Sequence, residues 1–185
     1  MFTLRLEGEV VYLNQLKQEE LPLLLALYEE KEFMQDYGYA EGLTQTYDEL
    51  YNWYQGLQKS ENEVFYSIFE RKTNQWIGFV SLMDLNEIEH EGWLVIGLAK
   101  GFRGKGIGEE SLNVLLEEAL SKGIKTVKLS VLSHNERAIK LYKKLGFKLE
   151  AIYPKNIYPN IFGVDILELG LNLELLKSLQ EGGRE

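Results

Sequence analysis

Residues Arg103-Gly104-Lys105-Gly106-Ile107-Gly108 constrain this chain more than any other stretch. Three glycines alternate with two basic residues and one aliphatic. Ahead of them runs the apolar segment Leu94-Val95-Ile96-Gly97-Leu98-Ala99. Behind them, Glu109 to Leu120 carries apolar residues at helical spacing. The order is strand, glycine loop, helix. Glycine lets a backbone turn tightly and come close to a ligand. The first turn of a helix offers unpaired N–H groups at a positive dipole end. Together these predict a phosphate site.

The remaining elements follow from periodicity and punctuation. Glu9 to Leu13 reads as a short strand and Gln18 to Tyr28 as a helix with Pro22 in its first turn. Met34 to Leu43 reads as an acidic, tyrosine-rich loop. Thr46, with Glu49 three residues on, suits the capping box of a helix running to Lys59. Three strands are expected at Glu63–Glu70, Trp76–Leu85 and Gly92–Ala99, linked closely enough to pair antiparallel. Thr126–Leu132 should be a strand that follows the glycine-loop helix and therefore lies parallel to its predecessor. Asn135 caps a helix from Glu136 to Leu145, and Gly146 stops it. Phe147–Tyr153 and Phe162–Leu173 complete the pattern, with a proline-containing loop between them. The expectation is one α+β (mixed α/β) domain over residues 1–185. It has a central, mostly antiparallel sheet of about seven strands with one parallel pair, helices on both faces, and a flexible tail at 178–185.

Charge is distributed unevenly. Residues 1–70 hold 14 acidic and 4 basic side chains, whereas residues 100–148 hold 5 acidic and 11 basic. The net charge of −9 makes nucleic acid a poor partner. A solvated face is one reading of such charges. They also suit two ligands of opposite sign, an anion at the glycine loop and a cation near the first third. There is no cysteine, so thiolate nucleophiles and thiolate metal sites are excluded. The two histidines are far apart, and no metal is expected. No apolar run reaches the roughly 18 residues of a membrane span, and the expected location is the cytoplasm.

The glycine loop fails two familiar patterns. In a Walker loop the lysine is followed by serine or threonine, but Lys105 precedes Gly106. In a dinucleotide loop the third glycine falls three residues after the second, where this chain has Glu109 or Ser111. What remains is arginine, two residues, glycine, one residue, glycine, at a strand-to-helix junction. This resembles the pyrophosphate-binding motif of the GNAT superfamily of N-acetyltransferases. The stretch Asn135-Glu136-Arg137-Ala138-Ile139-Lys140-Leu141-Tyr142-Lys143-Lys144-Leu145-Gly146-Phe147 resembles the second signature of that family. The element order is similar over roughly residues 3–173. Leu82-Met83-Asp84-Leu85-Asn86 and its spacing to the loop look like the branch holding spermidine and ribosomal-protein N-terminal acetyltransferases.

The resemblance implies acetyl-CoA as co-substrate, direct transfer to a primary amine, and no metal. It places the pyrophosphate on Arg103, Gly104, Lys105, Gly106, Ile107 and Gly108. Pantetheine would run along Ile96 and Leu98, with Asn135, Ala138 and Tyr142 also contacting CoA. Tyr142 is the implied general acid for the leaving thiolate. It could equally serve packing, since Ala138, Ile139, Tyr142 and Leu145 share a helical face. Relatives carry a glutamate base where a gapless count puts Trp93. Glu91, two residues earlier on the same strand face, is the candidate base, with ordered water as the other route. Gly97 suggests a bulge or a close ligand approach. Asp36, Tyr37, Tyr39 and Glu41, with Tyr158, could line a site for a cationic, polyamine-like acceptor, or be an ordinary polar loop. Other acceptors in view are a protein N-terminus and an aminoglycoside. A non-catalytic acyl-CoA sensor is the alternative outside enzymes. Edge strands would permit a homo-oligomer.

Overall fold

A computed structural model describes residues 1–37, 45–156 and 163–182. The strands are β1 (Arg5–Glu7), β2 (Val11–Gln15), β3 (Val64–Glu70), β4 (Trp76–Asn86), β5 (Glu91–Leu98), β6 (Thr126–Leu132), β7 (Lys148–Tyr153) and β8 (Ile166–Asn172). The helices are α1 (Leu21–Glu29), α2 (Lys31–Gln35), α3 (Tyr47–Leu57), α4 (Ile107–Ser121), α5 (Glu136–Lys144) and α6 (Leu173–Gly182).

One sheet holds all eight strands in the order β1-β2-β3-β4-β5-β6-β8-β7. Every neighbouring pair is antiparallel except β5 and β6, which are parallel. The connection between those two is the glycine loop plus α4, long enough for the crossover that a parallel pair requires.

Alternation along the strands builds two cores. Tyr66, Ile68, Val80, Leu82, Leu94, Val127 and Leu129 face one side and meet Leu112, Leu115, Leu116 and Ala119 of α4. Phe65 and Phe79 face the other side and meet Leu21, Leu24 and Leu27 of α1, Phe33 and Met34 of α2, and Leu50 of α3. Burial of each such side chain stabilises the fold by about 1.5–3 kcal/mol. The α3 capping box is formed: Thr46 Oγ1 accepts from the Glu49 N–H at 3.2 Å, and the Glu49 carboxylate accepts from the Thr46 N–H at 2.9 Å.

The sheet has eight strands rather than about seven, because β1 adds to the edge of β2. The first expected strand also sits later than Glu9–Leu13. Gly8 donates to the Val11 carbonyl at 2.9 Å, so Glu9 and Val10 form the turn of a β1–β2 hairpin. Two helices were not expected. The five-residue α2 lies within what reads as a loop, held by buried Phe33 and Met34. The sixth helix covers residues 178–182 of the expected tail and begins where the Asn172 side chain accepts from the Glu174 N–H at 3.0 Å. No helix among the described residues is long and apolar enough to cross a membrane.

Candidate active site

The site begins where the parallel pair parts. β5 and β6 are in register only from Glu91, Gly92 and Trp93 to Thr126, Val127 and Lys128. Beyond that, β5 stays with β4 as far as Leu98, while β6 stays with β8 as far as Leu132. The strands therefore diverge. Backbone polar groups alternate in direction along a strand. Ala99 donates back to Ile77 of β4 at 2.9 Å. By that alternation the N–H and C=O groups of Ile96 and Leu98 point into the opening. Two contacts agree: the Ile96 carbonyl accepts from the Tyr37 hydroxyl, and the Leu98 carbonyl accepts from Arg103 Nε at 3.2 Å.

A cleft of about 970 Å³ occupies the divergence. Its walls include Trp93 to Leu98 of β5, Arg103, Gly104, Gly106 and Gly108 of the loop, and Asn135, Ala138 and Tyr142 at α5. Asp36 and Tyr37 close it from the side of α2. The structure thus brings together most of the residues expected at a CoA site.

The backbone of the glycine loop has features that suit an anion. Gly104 and Gly106 have φ of +74° and +77°, the left-handed region that other residues rarely adopt. Gly106 is the residue before α4, and Glu110 makes the first intrahelical bond back to its carbonyl at 3.1 Å. The N–H groups of Ile107, Gly108 and Glu109 consequently have no intrahelical acceptor, and they stand at the positive end of a 15-residue helix. The two glutamates of that first turn are turned to other duties. Glu109 pairs with Lys144 Nζ at 2.8 Å, and Glu110 accepts from the N–H groups of Glu9, Val10 and Val11. Ile107 is buried in the core, so only its backbone is available to a ligand. Lys105 is exposed, with Nζ 5.9 Å from the Phe102 ring.

Arg103 points inward. Besides Leu98, it reaches Asp36 Oδ2 at 3.6 Å and lies 5.6 Å from the centre of the Phe33 ring. The cation expected on the donor and the carboxylate expected on the acceptor are thus joined to each other across the cleft. Gly97 is explained by packing. A Cβ there would stand 2.6 Å from both Phe33 Cζ and Phe79 Cε1, and the β4–β5 register runs through it without a bulge.

Asn135 caps α5 by accepting from the Ala138 N–H at 3.3 Å and also lines the cleft. Tyr142 is 8% exposed and packs edge-on to Phe147 at 5.8 Å. Burial, with the Asp36 charge adding to it, pushes its phenol up to about 12. Its hydroxyl therefore stays protonated throughout the physiological range.

Glu91 stands apart. It is not part of the cleft wall, and its carboxylate lies 3.4 Å from Lys128 Nζ. The physical reason is register: Trp93 sits opposite Lys128, so Glu91 meets a side chain of β6 before the strands diverge. The Lys128 ammonium is held above its ordinary value by that carboxylate, against the opposing effect of burial. Tyr39, Glu41 and Tyr158 lie outside the described residues.

Sequence reasoning missed a second cavity of about 300 Å³, which shares Phe33, Tyr37, Met83 and Val95 with the cleft. It is lined by Tyr28, Trp53, Phe65 and Phe79, with the carboxylate of Glu63 among them. The only signal available was a lone acid opening the apolar strand Val64–Phe69.

Comparisons with known proteins agree with this geometry. Residues 11–148 match the family described as the acetyltransferase (GNAT) domain. The chain is 28% identical over 144 residues to an uncharacterised protein, MJ1062, of Methanocaldococcus jannaschii, covering 77% of this chain and 29% of that protein. It is 41% identical over 56 residues to the uncharacterised N-acetyltransferase YdgE of Bacillus subtilis, covering 30% and 36%. The chain thus spans about a third of the length of these two relatives. Among solved structures, the spermidine N-acetyltransferase of Vibrio cholerae in complex with CoA and spermine superimposes with a TM-score of 0.82. That match has 20% identity and covers 90% of this chain and 98% of that one. The diverging parallel pair, the glycine loop and the extent of the family match lead to one conclusion: this chain belongs to the GNAT family of acetyltransferases.

Proposed function

We propose that the chain transfers an acetyl group from acetyl-CoA to a primary amine of a small cationic, polyamine-like acceptor in the cytoplasm. The observation that carries this is the placing of Tyr142 in the wall of the opening where Ile96 and Leu98 turn backbone groups away from β4, beside the N–H groups of α4 that have no intrahelical acceptor.

The donor set fits acetyl-CoA. Gly104, Gly106, Ile107, Gly108 and Arg103 would hold the pyrophosphate, the backbone of Ile96 and Leu98 would pair with the amides of the pantetheine arm, and Asn135 and Ala138 would flank it. The thioester supplies an activated acyl carbon and a thiolate leaving group. An N–H of β5 in the opening is placed to stabilise charge on the acyl oxygen. Tyr142 donates the proton that the departing sulfur requires. A phenol near 12 is a reluctant donor to a thiolate whose thiol lies near about 8.5. The transfer therefore accompanies cleavage of the carbon–sulfur bond, in a site dry enough to strengthen the thiolate as a base.

The attacking amine must be neutral, and alkylamines are ordinarily protonated below about pH 10.4. With Glu91 tied to Lys128 outside the cleft wall, ordered water leading from the cleft to solvent is the route proposed for that proton.

A panel assay of CoA release tests the reading, with spermidine, an aminoglycoside and N-terminal peptides as acceptors. Release with spermidine supports it. Release only with a peptide or aminoglycoside replaces the acceptor class. Acetyl-CoA binding without release to any amine identifies a sensor instead, a reading that Trp93 in the cleft wall keeps in play.

A further inference from the structure

The second cavity has a composition that the donor site does not use. Tyr28 and Phe79 meet edge-on at 6.0 Å, Phe65 stacks on Phe79 at 4.9 Å, and Trp53 meets Phe65 edge-on at 5.2 Å. Glu63 sits in this aromatic wall with neither a hydrogen bond nor an ion pair among the described residues. Burial holds its carboxyl above the usual range, and the nearby Asp84 carboxylate adds to this. A half-buried carboxylate in a cavity lined by aromatic rings is complementary to one class of ligand, an organic ammonium. The cavity adjoins the main cleft, with Phe33, Tyr37, Met83 and Val95 in the walls of both.

We propose that this side cavity receives the distal ammonium of a linear aliphatic diamine or polyamine, and that Glu63 is its counter-charge and a determinant of acceptor specificity. The inference rests on the acetyltransferase reading above. The reacting amine lies in the cleft at β5, the methylene chain follows Tyr37 and Met83, and the far ammonium meets Glu63 among the rings. An amine of the same length without the second charge fills the same space but leaves the carboxylate unpaired.

The test is the ratio of kcat/KM for 1,5-diaminopentane to that for n-pentylamine, read by thiol release in the intact protein and in Glu63→Gln. The natural chain should favour the diamine by on the order of tenfold or more, and the variant should lose most of that preference. A general loss of folding lowers both values together and leaves the ratio intact, so the ratio reports the charge pairing alone. Glu63→Asp, which keeps the charge, should retain part of the preference. An unchanged ratio in Glu63→Gln, or no preference in the natural chain, overturns the Glu63 assignment while leaving the acetyltransferase reading standing. Turnover of neither amine, with CoA release to a peptide or aminoglycoside, overturns the Glu63 assignment and leaves acetyl transfer standing; no release to any acceptor overturns both.

Discussion

At the scale of single residues, the acid role proposed for Tyr142 depends on burial. Its phenol is pushed up to about 12 by burial first and by Asp36 second, so the neutral acid persists far into the alkaline range. Activity should therefore show no falling limb of kcat between about pH 8 and about pH 10 that depends on this group. Tyr142→Phe should lower kcat by on the order of a hundredfold or more while acetyl-CoA affinity, measured by calorimetry, persists. Equal kcat would remove its acid role. Gly106→Val should weaken acetyl-CoA binding by about tenfold or more. A Cβ at Gly106 meets no protein atom within 4 Å, so the penalty comes from the +77° φ and from the space reserved for the ligand. Glu91→Gln should change kcat less than about twofold, because its partner is Lys128 rather than the cleft. That the loop glycines and Tyr142 would line one cleft was legible in sequence because their spacing is a pattern of residue types. Glu91 and Glu63 were not. Strand alternation states which face a side chain takes, and it does not state whether a neighbouring strand already supplies a lysine or an aromatic wall.

Among the elements, the long periodic ones were read correctly. α4, α5 and β3 to β6 have enough apolar repeats for a face to declare itself. The short ones failed for a common reason. β1 has three residues and buries only Leu6, and α2 has five. Such pieces form because tertiary contacts hold them, which local propensity does not register. The β1–β2 hairpin shows the point. Its turn is fastened by a side chain about a hundred residues away, as Glu110 accepts from three consecutive backbone N–H groups. Charge-assisted bonds of this kind contribute about 1.5–3 kcal/mol. Glu110→Ala should accordingly lower unfolding free energy by about that amount in denaturant titration, with the loss of exchange protection centred on β1 and β2. A loss spread evenly through the sheet would mean that the carboxylate does not hold the hairpin.

Taken as a whole, the molecule keeps several phenols neutral inside two cores that share one sheet. Tyr66 belongs to the core beneath α4, and Tyr28 packs against the core beneath α1. Both phenols are raised by burial first, Tyr66 against the opposing hydrogen bond to Gln15. Tyr37 is raised likewise, with the phenols of Tyr142 and Tyr28 contributing next. The sign follows from linkage. A group whose folded value lies above its unfolded value near 10.0 contributes stability that is complete below that pH. The contribution is lost as pH climbs towards the folded value, because only the unfolded chain can release the proton cheaply. The four tyrosines act in the same direction, and two of them line the cleft. Stability should therefore be level through neutral pH and fall steeply between about pH 10 and about pH 12. The measurement is the urea midpoint followed in parallel with phenolate absorbance at each pH. Phenolate signal from the buried tyrosines should appear together with unfolding and not before it. Because Tyr142 is among them, acetyl-CoA bound across the cleft should delay both signals to higher pH. Ionisation of the full set in a chain that remains folded would show that the cores are wetter than their packing implies.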